Sequence, residues 1–206
     1  MAMERATRRQ RATPRKGDLR EQAILRAAEE LLEREGVEPM TVEAIATGAG
    51  ISRGSLYFYF GSKQEVLTAL VARTLAALTE DATAFTDDEA TPPHEAIEHA
   101  ISRTEHMWRG HGRVMRTAVD HAAVIPEIGH LWTATVATFT KVMTGVLVRA
   151  GIPDGDGPAD AAALAHTLCW MTERAFYQAA AQPVPDLPRA AATCTEIWFR
   201  VINHRA

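Results

Sequence analysis

The 206-residue sequence predicts an all-α protein: a small N-terminal three-helix helix-turn-helix unit followed by a larger helical bundle. Three observations lead there. Apolar residues recur at three- and four-residue intervals through most of the chain, and no segment shows the strict alternation of a half-buried strand. Loops dense in Gly, Pro and Asp, such as GIPDGDGP and QPVPDLP, separate these periodic segments. The composition is 47% hydrophobic with only 6% aromatic and abundant Ala, as suits closely packed helices.

Taken in order, residues 1–17 are rich in Arg and Thr, carry Pro14 and Gly17, and are expected to be a disordered basic arm. Asp18 and Glu21 have capping-box spacing, after which Ile24, Ala27, Ala28, Leu31 and Leu32 keep a helical period until Gly36 ends it. From Thr41 to Phe60 the sequence TVEAIATGAGISRGSLYFYF reads as a helix-turn-helix. Thr41 caps a short helix with Val42, Ile45 and Ala46 inward, Ala49-Gly50 makes the turn, and Ser52 caps a second helix. That second helix carries Arg53, Gly54, Ser55 and Tyr57 near its N-terminal end, the end such motifs place in a major groove. Phe58 and Phe60 are expected in the core.

Ser62 and Glu65 form the next capping box, opening a long helix to about Phe85 that links the head to everything downstream. The break TDDEATPP covers residues 86–93, and five helical segments follow: His94–Arg109, Arg113–Ala123, Pro126–Ala150, Pro158–Ala181 and Pro188–His204. The resulting division is an arm at 1–17, a helix-turn-helix domain at 18–66 and a helical domain at 67–206, to which the family resemblance given below assigns ligand binding and dimerisation.

Net charge sharpens the division. The whole chain stands at −4, yet the first twenty residues hold seven basic side chains against Glu4 and Asp18, a net of +5 that leaves −9 for the rest. A basic arm beside a helix-turn-helix can follow phosphates or enter a minor groove; in isolation the same composition equally fits a solubilising tail. No apolar run of about 18 residues suggests a membrane span, and the N-terminus lacks the apolar stretch of a secretion signal, so a cytoplasmic location is expected. Cys169 and Cys194 lie in predicted helices with no C-x-x-C spacing, and no two of the eight histidines stand three or four apart, so no metal or other cofactor is expected.

The residues T-x-x-x-I-A-x-x-A-G-I-S-x-G-x-L-Y-x-Y-F-x-S-K from Thr41 to Lys63 resemble the TetR family of one-component repressors, and the match runs on to Leu67, with Val66-Leu67 straddling the last position of the family pattern. The resemblance implies that Thr41, Ser52, Tyr57, Tyr59 and Lys63 touch the phosphates of a double-stranded DNA operator, while Arg53, Gly54 and Ser55 approach its bases. It also implies a homodimer built by the last two long helices, and the Ala-rich segment 158–181 allows close helix approach there, as it would in a monomeric core.

Large side chains recur along the later helices. Trp108 ends one segment; Trp132, Val136, Phe139 and Met143 form a stripe; Cys169, Trp170, Thr172, Phe176 and Tyr177 cluster; Trp198 lies in the last helix. Such stripes are more often core packing, although a domain that opens an apolar cavity would line it with the same residues. IGHLWTATVATF, Met171-Thr172-Glu173-Arg174, the QPVP loop and Glu196-Ile197-Trp198 are similar to the EthR-type members of that family. That similarity implies an apolar channel for a small hydrophobic effector, lined at Trp108, Trp132, Phe139, Met143, Trp170, Tyr177 and Trp198. Cys169 and Thr172 stand where those members carry two ligand-bonding asparagines, and Thr104 where they carry an aromatic residue. A hydroxyl both donates and accepts, whereas a thiol is a poor partner, so a different or less polar ligand is implied.

An enzyme would need a nucleophile and base. The nearest candidate, Glu173-Arg174, is explained equally well as an ion pair, and no catalytic residue is assigned. The other rival is a constitutive DNA-binding protein whose helical half only dimerises. Removing residues 1–17 is expected to weaken operator binding and flatten its log-log salt dependence by about 0.9 for each phosphate no longer neutralised. Unchanged slopes for the truncated protein in a salt titration would dismiss a role for the arm.

Overall fold

The computed structural model describes residues 16–86 and 90–203, and the arm expected at 1–17 lies outside the described residues except for Lys16 and Gly17. Eight helices are present among the described residues: α1 (Lys16–Glu35), α2 (Val42–Gly48), α3 (Arg53–Tyr59), α4 (Lys63–Thr86), α5 (Pro93–His121), α6 (Pro126–Arg149), α7 (Ala161–Ala180) and α8 (Leu187–Asn203). Helices α1–α3 form the head and α5–α8 the bundle. Helix α4 packs on α1 at one side and on α5 and α6 at the other.

The local signals explain the head. Thr41 Oγ1 accepts from the Ala44 amide at 3.1 Å, capping α2. Ser52 Oγ accepts from the Ser55 amide at 3.1 Å and does the same for α3. Between them Gly50, at φ +64°, closes a Schellman turn: Ile51 N–H donates to Ala46 O and Gly50 N–H to Thr47 O. Gly48 allows α1 to approach, since a Cβ there would lie 3.2 Å from the Ala27 Cβ. Ahead of α4, the Ser62 hydroxyl accepts from the Glu65 amide, while Glu65 reaches back to the Gly61 amide at 2.9 Å.

Three sequence expectations change and one holds. Helix α1 begins at Lys16, so Asp18 sits within its first turn and complements the helix dipole there rather than capping it. The segments expected at 94–109 and 113–123 hold as two helical stretches of α5, divided by a kink with non-helical backbone at His111 (φ −133°, ψ 30°) between Gly110 and Gly112. Helix α7 starts at Ala161, because Asp160 closes the preceding loop by accepting from the Gly157 amide at 2.7 Å. Finally, α6 is long and apolar enough to cross a membrane by length and composition. It turns Ile128, Trp132, Val136, Met143, Val146 and Leu147 into the bundle and leaves Thr133, Ala134, Ala137 and Lys141 exposed. Its threonines read as apolar because Thr135, Thr138, Thr140 and Thr144 each donate their hydroxyl to the carbonyl four residues back.

Buried apolar side chains form one continuous cluster from Ile24 in the head to Trp198 in α8. Two carboxylates of α1 reinforce the junction. Glu29 binds Arg73 of α4 and, at 2.5 Å, His111 Nδ1 at the α5 kink. Glu33, one turn on, accepts from the Arg113 amide at 3.2 Å, an N–H near the break in the helical ladder. Burial raises the Glu33 pKa, and the Arg113 amide bond opposes that rise.

Replacing Gly50 with alanine places a Cβ in the left-handed region and is expected to destabilise the fold by about 1–2 kcal/mol. Thermal unfolding followed by circular dichroism would show this as a melting temperature lower by roughly 2–8 °C.

Candidate nucleic-acid interface and interior cavity

Helix α3 is anchored by a single buried residue of its own, Leu56, with Phe60 just beyond its end also buried. Burying one such side chain is worth about 1.5–3 kcal/mol, enough to dock so short a helix when both ends are capped. Everything else on α3 faces outward or is only partly covered. Arg53, Gly54 and Tyr57 are exposed and Ser55 is half-buried. The Arg53 guanidinium lies over the Tyr57 ring, 5.5 Å from its centroid, and donates to the Tyr57 hydroxyl at 3.2 Å. Ser52 and Ser55 hydroxyls pair at 2.9 Å.

Gly54 is informative because nothing inside the protein demands it. Its φ is not positive and an added Cβ would meet only Ser52 Oγ, 4.0 Å away. Glycine inside a helix costs about 1 kcal/mol relative to alanine. A small residue on an open face therefore suits close approach by something outside the chain.

The flanking positions are shared with structural roles. Thr41 and Ser52 are exposed but already cap helices through their oxygens, leaving the hydroxyl proton of Thr41 available. Lys63 is half-buried and donates to the Val37 carbonyl at 2.7 Å, tying α4 to the loop after α1 with two donors left over. Tyr59 packs partly against the core. Phe58 departs from expectation: it is 84% exposed, edge-on to Tyr59 with centroids 5.3 Å apart. Leu56 and Phe60 take the inward direction, and Phe58, two residues from each, is turned roughly to the opposite side of a 100°-per-residue helix.

The second site lies within the bundle. A narrow cavity of about 80 Å³ is lined by Leu75 and Leu78 of α4, Ala100, Ile101, Thr104, Trp108 and Met115 of α5, Trp132, Thr135, Val136, Phe139 and Met143 of α6, Cys169, Thr172 and Glu173 of α7, and Trp198 of α8. Trp108, Trp132, Phe139, Met143, Cys169, Thr172 and Trp198, named from sequence, thus meet on one wall. Trp170, Phe176 and Tyr177 do not. Phe176 is fully buried in packing, Trp170 is half-buried off the wall, and Tyr177 turns outward to donate its hydroxyl to Asp120 Oδ1 at 2.6 Å, beneath the Arg174 guanidinium. Helical spacing groups these three with Cys169 and Thr172, but only the lateral packing of α7 against α6 and α8 decides which of them reaches the cavity.

Val136 of the sequence-read stripe, Thr104 and Glu173 also line the cavity, and Leu75, Leu78, Ala100, Ile101, Met115 and Thr135 complete the wall with only the signal of ordinary core periodicity. The polar groups are mostly committed. Thr104 and Thr135 hydroxyls donate to Ala100 and Leu131 carbonyls at 2.8 and 2.9 Å. Thr172 accepts from the Trp198 indole N–H at 3.0 Å. Burial pushes the Cys169 thiol up to about 11, against a hydrogen bond with Thr140 that pulls it down, so it stays protonated and unreactive near neutrality.

The sequence matches two family models, "Bacterial regulatory proteins, tetR family" over residues 24–70 and "Transcriptional regulator EthR, C-terminal domain" over residues 97–203. Among curated relatives it is 30% identical to HTH-type transcriptional regulator EthR of Mycolicibacterium smegmatis, over 96% of this chain and 93% of that one. It is 31% identical to EthR of Mycobacterium tuberculosis, over 90% of this chain and 88% of the relative. Among solved structures, a TetR-like transcriptional regulator from Rhodococcus sp. RHA1 shares the fold with a TM-score of 0.68 at 22% identity, covering 94% of this chain and 100% of that one. With a capped recognition helix at the surface and a helical bundle behind it, the chain belongs to the TetR family of bacterial DNA-binding transcriptional regulators, with a C-terminal domain of the EthR type.

Proposed function

We propose that this regulator is a repressor that binds a palindromic operator as a homodimer and is released when a small apolar effector occupies the bundle. The head at 18–66 carries DNA recognition, the remainder from 67 onward carries effector binding and dimerisation, and the protein works in the cytoplasm. Arg53, Gly54 and Ser55 approach base edges while Thr41, Ser52, Tyr57, Tyr59 and Lys63 hold phosphates. A two-fold dimer sets the two α3 helices about 34–36 Å apart, or a multiple of it, to meet successive major-groove half-sites.

The observation that carries the effector half is the presence of Leu75 and Leu78 of α4 in the cavity wall. The same helix is bonded to the head through Lys63 and Arg73. At about 80 Å³ the cavity is much smaller than the 300–1,000 Å³ of typical ligand pockets, so an effector must push the walls apart. Moving α4 then changes the distance between the heads. The ligand acts only through its difference in affinity for the two forms, and carrying the population from 1:99 to 99:1 takes about 5.5 kcal/mol of that difference.

Two measurements test this. Gly54→Ala is expected to raise helix stability by about 0.5–1 kcal/mol while weakening binding to the DNA upstream of the regulator's own gene at least tenfold; unchanged DNA affinity with higher stability would remove Gly54 from the interface. Fluorescence anisotropy on that DNA, repeated with a hydrophobic cell extract, is expected to show binding at low salt and its loss with extract. Binding that no apolar fraction relieves would favour the constitutive alternative, in which the helical domain only dimerises.

A further inference from the structure

Glu173 is the one charged side chain on the cavity wall among the described residues. It is 92% buried, since its exposure is 8%, and neither carboxylate oxygen accepts a hydrogen bond. Arg174 approaches one of them at 3.6 Å, too far for a hydrogen bond, and its own side chain is 54% exposed and lies over the Tyr177 ring outside the cavity. Burial raises the Glu173 pKa and the Arg174 charge lowers it in part. A carboxylate left in this condition carries a desolvation penalty that the half-exposed Arg174 offsets only in part.

We propose that Glu173 anchors the polar head of the effector, and that this head is a protonated amine on an otherwise apolar molecule. The inference rests on the reading of the cavity as the effector site. The wall complements that chemistry. Hydroxyl protons of Thr104 and Thr135 are spent on their own helices, and the Thr172 oxygen already accepts from Trp198. Hence the unmatched capacity at Glu173 is acceptor capacity with negative charge. An ammonium supplies up to three donors and the opposite charge, and Trp108, Trp132 and Trp198 offer ring faces that attract cations. A carboxylate-headed amphiphile meets repulsion from Glu173, and an alcohol offers a single uncharged donor. Cys169 and Thr172, the other polar side chains of α7 on the wall, carry no charge, which leaves Glu173 as the strongest orienting group there.

The test is isothermal titration of the full chain near pH 7 with n-octylamine and n-octanol, equal in length and different in head, on the wild type and on Glu173→Gln. The expected result is at least tenfold tighter binding of the amine to the wild type, collapsing to parity in Glu173→Gln while octanol affinity stays within about threefold. Equal affinities of amine and alcohol for the wild type would overturn the anchoring role but leave an apolar effector cavity intact, and this comparison needs no variant to fold. An amine preference that survives Glu173→Gln overturns it as well, since the amine is then seated elsewhere. Failure of both probes to bind overturns this inference together with the effector reading of the cavity.

Discussion

Glu29 is the point on which the architecture turns. One carboxylate on α1 holds Arg73 of α4 and His111 of α5, so the head, the linking helix and the first helix of the bundle meet at a single side chain. These partners are 44 and 82 residues away in sequence. The Glu29–Arg73 pair, partly withdrawn from water, interacts more strongly than an exposed pair, and the hydrogen bonds to both partners fix direction as well as distance. Glu33 adds a second contact one turn later, on the backbone amide just past the same kink. Face to face with these contacts, the apolar cluster runs unbroken from head to bundle. Head and cavity wall are therefore joined by close-packed elements, the kind that shift between discrete arrangements rather than deform smoothly.

The kink itself has a local cause and a tertiary resolution. Gly110 and Gly112 flank His111 and weaken the helix where two long halves join. Broken helical geometry exposes backbone amides, and a carboxylate from α1 takes one of them. The irregular point of α5 is thus also where the head attaches. Trp108 on one side and Met115 on the other both line the cavity, so the kink lies beside its wall.

The interior of the bundle uses threonine in an instructive way. Threonines of α5 and α6 return their hydroxyls to their own backbones, presenting methyl groups where a polar side chain is nominally present. The cavity is consequently more apolar than its residue types suggest, and Glu173 stands out by contrast. Trp198 and Thr172 bond to one another across α7 and α8, which holds the far wall in register.

Much of the fold was legible in the residues alone. Capping side chains at Thr41, Ser52 and Ser62, the glycine at position 50 and the apolar period of each segment are local devices, and they fix helices and turns through neighbours three or four positions away. Family resemblance added the expectation of a DNA head and an apolar bundle. What lay beyond the sequence was direction: whether Phe58 points outward, and whether any of the aromatic residues of α7 turn to the cavity. Spacing along a helix sorts side chains into faces but does not say which neighbour each face meets. That assignment, and the burial of the Glu173 carboxylate without a hydrogen bond, came from how separate helices exclude water together, a property of the packed whole.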